Sequence, residues 1–229
     1  VQEYIQTDFE YVLSRNRYPK REKLPSIYSA EEIQQIELSV EQSGPVGKRD
    51  YAILLLATRL GLRASDICRL KFEHLDWDHN VIAFTQYKTR KAIELPLLTE
   101  VGEAIVNYLR YGRPVSGHPE IFLSARPPYR PMFRWGINSA ISRIMRESGI
   151  DISGRKFGPH AMRHSPASRL LANGVSLPVI SESLGHDSSL STMEYLRVDL
   201  SSLMGCALNV PLVNPAFYEQ KGGLFYGQV

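Results

Sequence analysis

Five polar side chains stand at element boundaries where a buried core has no use for them, and a tyrosine follows the last of them at a short interval. Arg63 comes after a helix-stopping Gly61, Lys88 lies in a polar turn, His160 and Arg163 follow Pro159, and His186 follows Gly185. Tyr195 stands nine residues beyond His186. By type these are two guanidiniums, an ammonium, two imidazoles and a phenol, groups that bind oxyanions, move protons and supply a nucleophile. Each also has a structural reading. Arg63 can neutralise the C-terminal dipole of the helix before it, Lys88 can be an exposed turn residue, and one tyrosine among 12 usually packs in a core or an interface with its hydroxyl satisfied. His160 and His164 are four apart, a helical spacing open to a metal, but the segment lacks the acidic residue of the HExxH zinc motif.

Caps, breakers and periodicity outline the elements that must position these residues. A helix is expected over 30–42, since Ser29 and Glu32 have capping-box spacing and Gly44-Pro45 forbids continuation. A more apolar helix over 48–60 ends at Gly61, and a short amphipathic helix over 64–70 follows. Val81-Ile82-Ala83-Phe84-Thr85 and Ala92-Ile93-Glu94-Leu95 flank the polar run Lys88-Thr89-Arg90-Lys91, which predicts a β-hairpin with lysines at its tip. Thr99 is expected to cap a helix reaching Gly112, and after a proline-rich loop another helix covers 134–148 and stops at Gly149. Pro159 opens a segment closed by Gly174, Pro178 opens one closed by Gly185, and a third begins near Ser189 and carries Tyr195. Pro166 should kink the first of these.

The chain has 229 residues with 43% apolar, 22% charged and 10% aromatic content, which excludes disordered and fibrous classes. Its longest apolar run, Tyr51 to Ala57, is far short of the roughly 20 residues that span a bilayer. No basic and then apolar leader opens the sequence, and Cys68 and Cys206 are its only cysteines, so a reducing, cytoplasmic setting is expected, without a disulfide scaffold. Twenty-seven basic against 24 acidic side chains give a net charge of +3, permissive for a nucleic-acid partner without demanding one. Arg126, Arg130, Arg134, Arg143 and Arg146 lie in a stretch with no acid, beside Tyr129, Phe133 and Trp135. That pattern reads either as a DNA-contacting surface or as a solvated basic face. Residues 1–24 read as a linker, and 208–229 as an apolar tail that packs in cis, on a neighbouring subunit or over a cleft.

Taken together, Gly61-Leu62-Arg63-x-x-Asp66, His160-x-x-Arg163-His164, Leu184-Gly185-His186 and Tyr195, with Lys88 eight residues before Pro96, resemble the signature of the tyrosine site-specific recombinases, the integrases of phages and mobile elements. The resemblance covers about residues 25 to 200. It implies a mainly α fold with a small antiparallel β-sheet, the catalytic domain of that family, over 25–207, and an activity that cleaves and rejoins DNA through a 3′-phosphotyrosyl link without metal, ATP or another cofactor. Under it, Arg63 and Arg163 clamp the non-bridging phosphate oxygens and His186 adds a donor to them. Tyr195 attacks phosphorus, a neutral His160 takes its proton, and Lys88 protonates the departing 5′-oxygen. Asp66 is expected to orient Arg63, and His164 to make a structural hydrogen bond beside Arg163. Arg126, Arg130, Arg134, Arg143, Arg90 and Lys91 are the expected DNA-binding residues. The implied partners are double-stranded DNA, further copies of the chain in a tetramer on DNA, and an accessory directionality factor, with no membrane and with association to the nucleoid during recombination. A type IB topoisomerase or telomere-resolvase-like enzyme shares this chemistry, and a non-catalytic DNA-binding relic is a third reading.

Two features depart from the pattern. Pro166 occupies a position where family members usually carry a bulky apolar residue. Residues 1–24 are too short for the family's N-terminal core-binding domain, so a catalytic fragment lacking that arm is expected, binding DNA weakly on its own.

Overall fold

The run Ala52-Ile53-Leu54-Leu55-Leu56-Ala57 is at most 1% exposed at every position. A helix that is apolar on all sides has to be surrounded. In the computed structural model, which describes residues 26–185, α2 (Pro45–Thr58) packs against α1 (Ala30–Leu38), α3 (Ala64–Ile67), α4 (Thr99–Tyr111), α5 (Arg134–Glu147) and α6 (Pro159–Ala172). A short α7 (Leu177–Leu184) packs on α6. The linker at 1–24, the helix expected near Ser189, the tail at 208–229, Cys206, His186 and Tyr195 all lie outside the described residues.

Beside the helices sits a three-stranded antiparallel sheet in the order β1 (Leu75–Asp76), β2 (Val81–Thr85), β3 (Ala92–Pro96). Its register pairs Leu75 with Ile82, Ile82 with Leu95 and Phe84 with Ile93, so alternate residues turn one apolar face inward. The domain is therefore mainly α with a small antiparallel sheet, as expected. The hairpin lies where the alternation placed it, whereas β1 was not foreseen: two residues carry no readable period.

The helix boundaries differ from expectation for local reasons. The Ser29–Glu32 capping box is present, but α1 stops at Leu38, where the Ser39 hydroxyl donates to the Ile36 carbonyl at 2.7 Å and closes the turn. Helix α2 begins earlier than expected, with Pro45 at its first position behind Gly44, since a proline there lacks an N–H that would be unsatisfied anyway. Helix α3 covers only Ala64–Ile67. Thr99 does not cap α4: Leu98 is the N-cap, and Thr99 is the first helical residue. Helix α6 is a single element through Pro166, which is buried and cannot donate to the Met162 carbonyl one turn earlier. No helix among the described residues is long and apolar enough to cross a membrane.

Candidate active site

Two left-handed glycines shape the site. Gly61, at φ +62°, ends the path out of α2 and delivers Arg63 to the extended N-cap of α3. Gly185, at φ +60°, ends α7. A Cβ at Gly61 would lie 2.9 Å from the Leu184 side chain, and one at Gly185 would lie 2.3 Å from the Gln86 amide oxygen. Both positions thus need glycine for its conformation and for lack of room.

The last carbonyls of a helix have no partner within it. Here the end of α7 is met by side chains. Arg163, on the second turn of α6 and 4% exposed, donates from Nη1 to the Gly61 carbonyl and from Nη2 to the Leu184 carbonyl, both at 2.5 Å. Arg63 donates from Nη2 to the Gly185 carbonyl at 3.2 Å and from Nη1 to Gln86 Oε1 at 2.6 Å. The two guanidiniums are therefore anchored on consecutive carbonyls of one dipeptide, directly before His186 in the chain.

Lys88 occupies the turn between β2 and β3, and its base is fixed to α3: the Tyr87 N–H donates to Asp66 Oδ1 at 2.9 Å. Within the turn, the Gln86 N–H donates to the Lys91 carbonyl at 2.8 Å and the Arg90 N–H to the Gln86 carbonyl at 3.0 Å. Asp66 thus holds the hairpin, and the Arg63 plane is held by Gln86 and Gly185. His160, in the first turn of α6, is exposed at one edge. Partial burial depresses its basicity below the usual 6.5, and the charges of Arg163, Lys88, Arg63 and Lys156 add to that in this order. The structure thus brings Arg63, Lys88 and Arg163 around the His160 imidazole, whose basicity their charges lower. His164 stacks on His160, with ring centroids 5.8 Å apart. No group of three His, Cys, Asp or Glu side chains able to hold a metal occurs among the described residues.

Arg126, Arg130 and Arg143 border a groove of about 850 Å³ that contains none of the four residues above and meets α2 near its other end, at Val46 and Asp50. Arg143 is engaged there with Asp50 at 2.8 Å and Glu147 at 2.7 Å. Arg134 is exposed at the start of α5. Exposed Arg90 and Lys91 flank the Lys88 turn, and the Arg69 and Arg90 guanidiniums lie 3.7 and 5.3 Å from the Tyr87 ring centre.

Gln86 was missed by sequence reasoning. It is 1% exposed and touches both sides of the site, yet in sequence it is one polar residue among several in a turn. A signal was available in the strand period, because Ile82, Phe84 and Gln86 fall on the same face.

The description "Phage integrase family" belongs to a family model that matches residues 27–201. A Sinorhizobium fredii protein with an integrase/recombinase name, y4gC, is 38% identical over 189 residues, covering 82% of this chain and 97% of its own. Tyrosine recombinase XerA of Pyrococcus furiosus is 34% identical over 194 residues, covering 82% of this chain and 63% of its own. The chain spans 45% and 48% of two further Sinorhizobium fredii relatives at 35% and 28% identity, so these two are about twice as long. Among solved structures, the XerA recombinase superposes with a TM-score of 0.68 at 24% identity, covering 80% of this chain and 64% of that one. A lambda integrase tetramer bound to a Holliday junction gives 0.58 at 21% identity, covering 77% and 49%.

Proposed function

The chain belongs to the phage integrase family, and on that premise we propose that it is a site-specific recombinase of a mobile genetic element, cleaving and rejoining double-stranded DNA through Tyr195. The observation that carries this reading is the anchoring of Arg63 and Arg163 on the neighbouring Gly185 and Leu184 carbonyls, which aims two permanent cations at one site. A guanidinium fork matches the non-bridging oxygens of a phosphodiester and stabilises the charge they gain as phosphorus becomes five-coordinate.

In the proposed step the Tyr195 phenol oxygen attacks phosphorus, the bond from phosphorus to the 5′-oxygen breaks, and the enzyme holds a 3′-phosphotyrosyl ester. His160 takes the phenol proton, a task that its lowered basicity suits because the ring is already neutral near pH 7. Lys88 gives a proton to the leaving 5′-oxygen, and His186 donates a hydrogen bond to the phosphate. Rejoining is the same step reversed with a new 5′-hydroxyl, so the bond energy is kept in the ester. Arg90, Lys91, Arg126, Arg130 and Arg134 contact the backbone further along the duplex. The lambda integrase tetramer bound to a Holliday junction supports the proposal of DNA as partner and of assembly with further copies of the chain.

The test is a nicked suicide substrate carrying candidate element ends. The expected result is a covalent adduct resolved on a denaturing gel and mapped by mass spectrometry to Tyr195. Tyr195→Phe should bind DNA and give no adduct; an adduct retained in that variant would remove Tyr195 as the nucleophile.

A further inference from the structure

A buried primary amide is costly unless its donors and acceptor are used. Gln86 uses both ends. Its Oε1 accepts from Arg63 Nη1 at 2.6 Å and from the Thr89 hydroxyl at 2.7 Å, and its Nε2 donates to the Leu184 carbonyl at 3.1 Å, the same carbonyl that receives Arg163. One side chain therefore joins the first arginine, the turn holding Lys88 and the carbonyl that anchors the second arginine. The absence of a side chain at Gly185 makes this possible, since a Cβ there would overlap the amide at 2.3 to 2.6 Å.

The geometry points to Gln86 as a positioning residue that holds the Arg63 guanidinium and the Lys88 turn in register with the Leu184–Gly185 peptide. It touches no reacting atom. Its effect runs through Arg63, whose plane is fixed when one Nη meets Gln86 and the other meets Gly185. The inference rests on the recombinase reading for its consequence in catalysis, but not for its geometry. The turn is also fixed by Asp66 and by its own backbone bonds, so removal of Gln86 loosens Arg63 more than it loosens the hairpin.

The experiment compares the full chain with Gln86→Met, which keeps the length and removes both polar ends. Single-turnover cleavage of the suicide substrate should slow by roughly 10- to 100-fold, the scale expected when a reacting group shifts by about an ångström, while DNA affinity changes by about twofold or less. Because Gln86 acts through Arg63, the double variant with Arg63→Ala should cleave no more slowly than Arg63→Ala alone. Additive losses, or an unchanged rate in Gln86→Met, overturn the inference. If Gln86→Met does not fold, Gln86→Asn keeps the amide but is one methylene too short to reach Arg63 and Leu184 together, and it carries the same expectation. A second readout needs no DNA: the Arg63 Nη–H signals in nitrogen-15 spectra should be sharp in the unaltered chain and lost to rapid exchange in the variant. Their persistence overturns the inference. Their loss, in a protein that never forms a tyrosyl adduct, supports Gln86 as the positioner and overturns the recombinase reading instead.

Discussion

His160 is the most informative single residue because its charge state is set by its surroundings. Burial and then the cations of Arg163, Lys88 and Arg63 all disfavour protonation. Its imidazole should therefore titrate below 6.5 in a proton NMR experiment, and Lys88→Met should move the midpoint upward; no movement would mean that Lys88 does not face the ring. The sign for stability follows. As pH falls, the unfolded chain takes up this proton first, so the contribution of His160 is complete above about pH 6.5 and is lost as the pH falls through the folded-state value. The arginines differ from one another in a testable way. Arg163 is buried and spans two backbone carbonyls, whereas Arg63 is half-buried. Arg163→Lys, with one ammonium in place of a fork, should lose about 1–3 kcal/mol of stability in denaturant unfolding, from hydrogen bonds left unmade. Arg63→Lys should unfold nearly as the unaltered chain does while cleaving poorly.

Among elements, the turn after α2 joins fold and chemistry most tightly. Gly61 takes a left-handed conformation beside Leu184, and its carbonyl receives Arg163. Gly61→Ala adds strain of about 1–2 kcal/mol from the conformation alone, with the 2.9 Å approach to Leu184 on top. Thermal unfolding should show a fall of several degrees, and cleavage should fall further than that loss of stability explains, because the Arg163 anchor moves with the turn. An unaltered melting temperature would mean that the turn relaxes freely. The hairpin contributes differently. Strand pairing carries Lys88 outward, and the Asp66–Tyr87 bond ties the turn to α3, so α3 positions the lysine although it spans only four residues.

For the whole molecule, two basic regions lie near opposite ends of α2, and on the proposed reading both contact one duplex. Helix α2 has 14 residues, hence a length of about 21 Å. The groove edged by Arg126 and Arg130 meets the opposite end of this helix from Arg63. On the recombinase reading, a duplex engaging both regions extends several base pairs from the cleaved phosphate. Removing Arg126, Arg130 or Arg134 should weaken DNA binding on any sequence and lower the slope of log affinity against log salt by about one each. Arg143→Ala should change that slope less and destabilise the fold instead, because Asp50 is 1% exposed and would lose a partner. Equal slopes for Arg143→Ala and Arg130→Ala would show that the Asp50 ion pair opens when DNA binds.

How much was legible in the sequence depended on whether the signal was local. The Ser29–Glu32 box, the hairpin and the prolines that open α6 and α7 are written in neighbouring residues, and the motifs around Arg63, Lys88, His160 and Arg163 carried the family resemblance before any coordinates. Terminations such as the end of α1 were less legible, because a side chain and the backbone compete there for the same carbonyl. The sequence by itself determined the family, the mainly helical class and the types of groups at the site. Only the tertiary structure decided that Gln86 meets Arg63, and that Arg143 spends its charge on Asp50. Both are contacts between residues 23 or more positions apart, in which a polar side chain finds its partner only after the apolar core has brought distant elements together.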